Sequence, residues 1–433
     1  MRLERHHLNA AIYLGVSVLT KGASTLLLIP VYTRHLDRAD YGANGLCQTL
    51  YSIVAPLISL ALVAAFARFY FDHRDPEERA RTLGAIARTL IVLCLGAGLV
   101  GELLLAVVPG VHLGELPPRY LRLVLWSCAC IPIADMATCY LRASQSAGRF
   151  AALNLSVFVI TAGSTLYFLL VRHSGLVGIL GGMLLGQIAA ALASLVFVFT
   201  RLEPLAPGGG EVVRQALRYG VPLIPHLIGN ALLVGADRWA LEYYGLREDL
   251  GLYTLATQLT LPILLVASAW NEAASPRFHN LWRDQGDAAA RAAFPRFLAG
   301  FLAITLLGLG AVLVALPIFR YLVGARFVAA FPLVPWTGLG LVIGCCFSAF
   351  VAVLEWRKAT RLIPVLTLSA VGVNIALNFL LVPRWGVYGA IAGTGLAYLF
   401  RFVILGVFAW RSLYRGDALR DVASDAAAGA GRH

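Results

Sequence analysis

Long apolar stretches alternate with short polar segments along almost the whole chain. A helix needs about 20 apolar residues to cross a bilayer, and twelve stretches of roughly that length can be traced in the sequence. They lie at residues 8–33, 41–69, 83–108, 121–141, 153–171, 176–200, 221–243, 250–274, 297–320, 330–354, 363–382 and 387–410. Several are separated by only a few residues, so consecutive spans must run antiparallel. The pattern predicts an all-α integral membrane protein with about twelve transmembrane helices.

The composition supports a membrane protein and excludes a separate soluble domain. Of the 433 residues, 59% are hydrophobic and 13% are charged, whereas a soluble protein carries about 25% charged residues. No polar stretch exceeds about 25 residues, and a typical domain needs about 50 or more. The seven cysteines all fall in apolar segments without a CxxC pair, which is typical of buried free thiols.

The net charge of +12 has two readings, nucleic-acid binding or membrane topology. The distribution of Lys and Arg among the loops favours membrane topology as the explanation, so we expect no nucleic-acid partner. The two ends of the chain and the loops after even-numbered spans hold about 21 Lys and Arg, against about nine after odd-numbered spans. Both termini are therefore predicted to be cytoplasmic, with 74–81 and 283–291 inside and 110–115 outside. The small, polar tail 411–433 is predicted to be disordered.

The second half of the sequence repeats features of the first. Asp40-Tyr41-Gly42 opens span 2, and Asp249-Leu250-Gly251 opens span 8, 209 residues later. Near the other end of each half, Gly175 and Gly386 each follow a Phe-Leu-Leu-Val segment. The repeat predicts two six-helix bundles, residues 1–203 and 221–410, joined by a cytoplasmic linker at 204–220. Because six is even, both bundles enter the membrane in the same direction, which predicts a pseudo-twofold axis along the membrane normal and a substrate path between the bundles.

Asp237 and Arg238 lie side by side inside the apolar run of span 7. A charge within a span costs roughly 2.5–3.5 kcal/mol on insertion scales, so it is kept only where water or a partner receives it. Asn230 lies seven residues before Asp237 and shares its helical face. Adjacent helical residues point about 100° apart, so each charge needs a partner on another helix. We interpret all three residues as substrate-binding candidates.

Lys21 lies near the middle of span 1, far from either predicted interface. A flexible ammonium group in a water-filled cavity suits a phosphate or diphosphate. The alternative is a lysine that reaches an interface with its long side chain, or one that pairs structurally with Glu102 or Asp237.

Further polar residues within the spans have both a functional and a structural explanation. Gln48 and Gln258 belong to polar stripes on spans 2 and 8, which suit sugar hydroxyls or ordinary interhelical hydrogen bonds. Arg68 and Arg277 end the same two spans and are either the inner mouth of a cavity or interfacial anchors. The remaining charges are candidates for ion coupling, gating or structural ion pairs: Glu102, Asp135 and Arg401.

Other chemistries have weak support in the sequence. The nine histidines have no metal-ligand spacing, and no GxxxxGK[ST] motif for nucleotide phosphates occurs. The acidic segment 37–40 lies in a loop too short to build a catalytic domain. We therefore predict no metal site, no cofactor and no catalytic residues.

Several loose motifs together resemble the polysaccharide transporter branch of the multidrug/oligosaccharidyl-lipid/polysaccharide flippase superfamily, the Wzx-type O-antigen flippases. The resemblance covers nearly the whole chain. It rests on Leu28-Ile29-Pro30-Val31-Tyr32 with Asp40-Tyr41-Gly42, on Asp237-Arg238 with Leu250-Gly251-Leu252-Tyr253, on Tyr140-Leu141-Arg142-Ala143, and on Gly386-Val387-Tyr388-Gly389-Ala390.

The resemblance implies a flippase that moves an undecaprenyl-diphosphate-linked oligosaccharide, an O-antigen or exopolysaccharide unit, across the bacterial inner membrane. It also implies a fold like that of the drug-exporting MATE transporters, with two six-helix bundles that open alternately to each side. Related lipid II flippases use cations in their first helices to receive diphosphate, a role that Lys21 could match. Expected partners are the lipid-linked substrate, membrane lipids, a polysaccharide polymerase and a chain-length regulator, for a monomeric protein.

Two other functions compete with this interpretation of the sequence. A MATE-type exporter of organic cations would need unpaired carboxylates and aromatic side chains in its cavity, whereas Lys21 and Arg238 are prominent here. A membrane enzyme, such as a polymerase or glycosyltransferase, typically needs a long external loop, and the longest predicted one has only about a dozen residues.

Overall fold

The computed structural model describes residues 12–13, 15–16, 19–20, 24–73, 75–107, 116–206, 209–359 and 362–415. Within these ranges the chain is helical and contains no strand. The helices are α1 (Ser24–His35), α2 (Arg38–Ile58), α3 (Leu62–Asp72), α4 (Pro76–Val107), α5 (Pro118–Ala143), α6 (Ala147–Leu166), α7 (Gly175–Arg201), α8 (Gly210–Gly220), α9 (Ile224–Tyr243), α10 (Arg247–Leu259), α11 (Leu261–Leu322), α12 (Val334–Trp356) and α13 (Leu362–Arg415).

The predicted fold class is confirmed. In the described part of the chain, eight helical stretches are long and apolar enough to cross a membrane, and the bent pair α2–α3 adds a ninth. Two of these stretches, Arg247–Leu322 and Leu362–Tyr414, contain 76 and 53 residues, enough for two crossings each. The remaining predicted span, 8–33, is described in part, and its second part, 24–33, lies in α1.

Span 2 was predicted as one unbroken helix, and this is wrong. The axes of α2 and α3 differ by 55°. At the break, Leu60 and Ala61 adopt left-handed backbone angles, with φ of 48° and 53°. Pro56, one turn earlier, has no N–H to donate to the preceding turn, which weakens the helix at this point. Hydropathy does not register such a break because the residues on both sides are equally apolar.

Several helices extend beyond their predicted spans. Residues 275–296, predicted to lie outside the spans, are helical in α11 except at Gly286, where φ is 76°. The final helix continues to Arg415, so 411–415 are helical rather than disordered; residues 416–433 lie outside the described residues. The physical reason is that charged residues end a membrane span without ending a helix.

The predicted linker 204–220 contains helix α8, which packs against the N-terminal helices. The backbone N–H of Glu203 donates to Ala80 O over 3.3 Å, and Arg81 Nε lies 3.0 Å from a carboxylate oxygen of Glu203. At the other end of the linker, a Cβ at Gly220 would lie 2.6 Å from the carbonyl oxygen of Leu60. The linker is therefore fastened to the N-terminal helices beside the break between α2 and α3.

The repeat found in the sequence recurs as a repeated contact. Gly175 and Gly386 both have φ of 55°, in the left-handed region that favours glycine. A Cβ at Gly175 would lie 3.8 Å from Oδ2 of Asp40, and one at Gly386 would lie 3.5 Å from Oδ2 of Asp249. Each aspartate thus lies in the first turn of its helix, beside the glycine that begins a later span of the same half.

The chain forms two compact units, Met1–Leu232 and Leu233–His433, which we call the N-terminal and C-terminal units. The predicted bundle limits at 203 and 221 stay predictions. The core of the N-terminal unit joins α3, α4, α5 and α7, with Phe66, Ile86 and Met136 fully buried. That of the C-terminal unit is aromatic, and the rings of Phe278 and Phe297 stack 4.6 Å apart.

Candidate functional site

A pocket of about 680 Å³ lies in the N-terminal unit beside the break between α2 and α3. This volume falls within the range of small-molecule sites, about 300–1,000 Å³. Its polar lining comes from Ser52, Ser59, Asp135, Thr138 and Arg142. The rest of the lining is largely apolar, and Tyr51 is its one aromatic residue among those described. We call this cavity the N-terminal pocket.

Among the described lining residues of the N-terminal pocket, the two charged side chains both come from α5. Asp135 and Arg142 are seven residues apart, two helical turns, so they share one face. Both side chains are exposed. The guanidinium carbon of Arg142 lies 5.4 Å from the ring centre of Phe150, within the range of a cation–π contact. The pocket therefore offers a carboxylate, a guanidinium group and three hydroxyls along an apolar wall.

Of the predicted site residues that the structure describes in the N-terminal unit, only Asp135 lines this pocket. Gln48 lies one turn before Ser52 on α2 and is half-buried, and Ser52 Oγ donates to its carbonyl oxygen over 3.1 Å. Arg68 lies instead against the linker, with its guanidinium carbon 4.6 Å from the ring centre of Tyr219, and it forms an ion pair with Asp72.

Two further predicted residues of this unit have close partners of their own. Nε of Arg122 on α5 lies 3.0 Å from Oε1 of Glu102, so a structural ion pair accounts for the position of Glu102. The side-chain nitrogen of Asn230 lies 3.1 Å from the ring of His226, one turn earlier on α9. Lys21 lies outside the described residues.

A buried polar network in the C-terminal unit surrounds Asp237. This side chain is completely buried. Its carboxylate accepts hydrogen bonds from the hydroxyls of Tyr253 on α10 and Thr394 on α13, and Oδ1 accepts from the backbone N–H of Arg238 over 2.7 Å. Burying a carboxylate is costly unless donors replace its water, and here three donors do so. We call these residues and their partners the Asp237 network.

The donors of the Asp237 network form a chain across α13. Asn378 Nδ2 donates to Asn374 Oδ1 over 3.2 Å, and Asn374 Nδ2 donates to Thr394 Oγ1 over 3.1 Å. Thr394 then donates to Oδ2 of Asp237 over 3.0 Å. Because every bond points the same way, each polarises the next toward the carboxylate. The break at Gly386 makes this possible by folding the two parts of α13 back against each other.

The charged residues near Asp237 make different contacts. Arg238 Nη2 donates to Thr257 Oγ1 over 3.3 Å. Arg401 faces α12, where its guanidinium carbon lies 3.6 Å from the ring centre of Phe347 and Nη2 donates to Gly344 O over 3.3 Å. Gln258 is buried, whereas Arg277 is exposed on α11. The predicted site residues of this unit are therefore not one cluster.

Sequence reasoning missed Asn374, Asn378 and Thr394 as partners of Asp237. A signal was present, because the two asparagines lie four residues apart within an apolar span and so share a face. Arg142 was recognised only as part of a family motif. Its role in lining a pocket depends on the bend between α2 and α3, which hydropathy does not predict.

Comparison with known proteins decides the family. A family model described as "Polysaccharide biosynthesis protein" matches residues 8–282. The chain belongs to this family. The match runs through the N-terminal pocket and continues past Asp237, and it confirms the resemblance inferred from the motifs. Among curated proteins, none matches this sequence.

Solved structures of membrane transporters share the fold of this chain. An inward-facing multidrug resistance MATE family transporter of that superfamily aligns with a TM-score of 0.74 at 16% identity, covering 91% of this chain and 96% of the other. The lipid II flippase MurJ, in an inward closed conformation, aligns with a TM-score of 0.69 at 15% identity, covering 90% and 85%. At these identities the likeness establishes the fold of this polysaccharide biosynthesis family member.

Proposed function

We propose that the protein is a flippase that moves an undecaprenyl-diphosphate-linked oligosaccharide from the cytoplasmic to the outer leaflet of the bacterial inner membrane by alternating access. Membership in the polysaccharide biosynthesis family and a fold shared with transporters support this proposal. The observation that carries it is the lining of the N-terminal pocket, which combines hydroxyls, a carboxylate and an arginine with an apolar wall.

The chemistry of the pocket suits the head of a lipid-linked sugar. Ser52, Ser59 and Thr138 can donate to and accept from sugar hydroxyls. Arg142 presents a planar set of donors that matches phosphate oxygens. Asp135 can accept from a sugar hydroxyl at the same face of α5. The apolar wall suits the non-polar faces of sugar rings, and Lys21 is the second proposed contact for diphosphate.

The Asp237 network serves the transport cycle rather than the substrate directly. Asp237 is completely buried in this conformation, so it contacts no substrate unless α9, α10 and α13 rearrange. Ionisable residues within spans commonly mark ion pathways or proton relays. We assign Asp237 to coupling or to the conformational change, with Tyr253 and Thr394 as the groups that hydrogen-bond its carboxyl group.

A MATE-type cation-coupled drug exporter is the alternative function. The shared fold with a multidrug transporter favours it. The N-terminal pocket weighs against it, because Arg142 would repel an organic cation. Among the described lining residues, Tyr51 is the one aromatic side chain that could contact such a cation. An enzyme is disfavoured by the family, and the proposed activity requires no cofactor or bound metal.

The deciding experiment is deletion of the gene in the native host. Loss of the flippase should accumulate lipid-linked oligosaccharide on the cytoplasmic side and remove surface polysaccharide, with unchanged resistance to cationic drugs. Arg142→Gln should restore less than about a tenth of surface polysaccharide, since losing a charged hydrogen bond costs about 1.5–3 kcal/mol. Arg149→Gln, an exposed arginine on α6, is the matched control and should complement fully. Drug sensitivity with normal polysaccharide would favour the exporter instead.

The remaining parts of the proposal concern placement and partners. The excess of basic residues on one side supports cytoplasmic N- and C-termini. A polysaccharide polymerase and a chain-length regulator are the proposed downstream partners, because a flipped repeat unit must be joined to others. We propose that the protein acts as a monomer.

A further inference from the structure

A second concave site lies on the C-terminal unit, away from the Asp237 network. It is a groove of about 830 Å³ between the part of α11 after Gly286 and the part of α13 after Gly386. Apart from one arginine, its described lining residues are apolar or aromatic, and none is acidic. We call it the α11–α13 groove.

An aromatic wedge from α12 forms the floor of the groove. Phe350 lies between the two walls, with its ring centre 5.8 Å from that of Phe294 on α11 and 4.9 Å from that of Phe402 on α13. Gly406 faces the same ring, and a Cβ there would lie 3.1 Å from it. The groove is thus held open by a buried ring and kept deep by a residue without a side chain.

One end of the groove has the features of a membrane interface. The rings of Trp410 and Tyr414 stack 4.2 Å apart, and Arg411 lines the groove beside them with an exposed side chain. Arg291 holds this end in place, since its Nε donates to Leu413 O over 2.8 Å and its carbonyl oxygen accepts from the Tyr414 hydroxyl over 3.4 Å. Aromatic rings and arginines are enriched at headgroup level.

The length of the groove matches one leaflet. The lining on α13 runs from Phe402 to Tyr414, which is about 18 Å at about 1.5 Å per residue. The hydrocarbon core of a bilayer is about 30 Å thick, so a leaflet contributes about 15 Å. A chain lying in the groove would therefore reach the bilayer centre when its headgroup is at Arg411.

We propose that the α11–α13 groove binds one anionic phospholipid of the cytoplasmic leaflet. One acyl chain lies along the Phe350 floor, Trp410 and Tyr414 flank the glycerol region, and the guanidinium group of Arg411 contacts the phosphate. Basic pockets between helices on the cytoplasmic side favour such headgroups, because that leaflet is negatively charged. A second copy of the chain is a poorer occupant, since its own arginine would bring like charge to the site. The site requires a membrane and the predicted cytoplasmic C-terminus, and it is independent of the proposed transport activity.

Native mass spectrometry of the purified full chain tests the site with two probe lipids of equal chain length, phosphatidylglycerol and phosphatidylethanolamine. The wild type should retain one phosphatidylglycerol with about tenfold preference. Arg411→Gln should abolish that preference, whereas Arg320→Gln, an exposed arginine at the far end of α11, should keep it. Ala299→Trp should fill the groove and reduce retention of both lipids. Leu307→Trp, at an exposed position outside the groove, should not.

Three results would overturn the proposal. The first is equal retention of both lipids by the wild type, or an unchanged preference in Arg411→Gln. The second is displacement of phosphatidylglycerol by undecaprenyl phosphate at equal concentration, which would show that the groove binds the polyprenyl chain of the substrate. The third is a dimer of the wild-type protein that the Ala299→Trp substitution dissociates, which would make a second copy of the chain the occupant of the groove. If Ala299→Trp does not fold, the comparison of Arg411→Gln with Arg320→Gln decides, because both substitutions lie on the surface.

Discussion

The hydroxyl of Thr394 donates a 3.0 Å hydrogen bond to Oδ2 of Asp237, although 157 residues separate them in the chain. Both side chains are buried, and the bond joins α9 to α13. A buried carboxylate is stabilised by its donors, and the donors in turn depend on the carboxylate. The pair therefore ties the position of α13 to one buried carboxyl group.

Removing the carboxylate should impair both folding stability and transport. Asp237→Ala leaves the hydroxyls of Tyr253 and Thr394 without their acceptor, and each unsatisfied buried group costs about 1–3 kcal/mol. We expect a lower thermal midpoint of the purified protein in detergent and a loss of transport of at least about tenfold. Asp284→Ala, which removes an exposed aspartate on α11, is the matched control. A wild-type midpoint together with wild-type transport in Asp237→Ala would refute a role for the network.

A second prediction concerns the attachment of the linker. A Cβ at Gly84 would lie 2.5 Å from the backbone carbon of Glu203, so Gly84→Ala must displace the start of the linker. Overpacking of this kind costs about 1–3 kcal/mol, which should lower the thermal midpoint. Gly96 lies on the same helix, and a Cβ there would have no neighbour within 4 Å. Gly96→Ala should therefore be neutral or slightly stabilising. Equal midpoints for the two variants would contradict a tightly packed linker.

The topology prediction can be tested with an impermeant thiol reagent on spheroplasts carrying a cysteine-free variant. Single cysteines at Arg214 and Arg283, both exposed in the structure, should react only after the membrane is permeabilised. A cysteine at the exposed Arg172, which lies after an odd-numbered span, should react in intact spheroplasts. Labelling of position 283 in intact spheroplasts would contradict the predicted orientation of the whole chain.

Lys21 stays a prediction from the sequence. As a proposed contact for diphosphate within the first span, it should need its positive charge, whereas the shape of the cationic side chain should matter less. Lys21→Ala should abolish surface polysaccharide at an unchanged protein level, and Lys21→Arg should retain much of it. Quantitative immunoblotting provides the expression control. If Lys21→Ala transports normally, the lysine has a structural role or none.

The sequence by itself determined the membrane environment, the approximate number of spans and the internal repeat. These follow from apolar length and from local motifs, and both are properties of the chain that do not depend on its packing. Asp40 and Asp249 were equivalent in the sequence, and the structure gives each the same neighbour, Gly175 or Gly386. Family membership was likewise readable from short motifs spread along the chain.

Only the tertiary structure decided which polar groups meet. Asp237 needed partners on other helices, but the sequence offered several, and Glu102 proved to contact Arg122 instead. The reason is that hydropathy gives the length of a helix and not its rotation, its bend or its neighbours. The N-terminal pocket depends on a left-handed turn at Leu60 and Ala61, and the donor chain to Asp237 depends on a fold at Gly386. Such turns are set by packing between distant segments, which no local pattern contains.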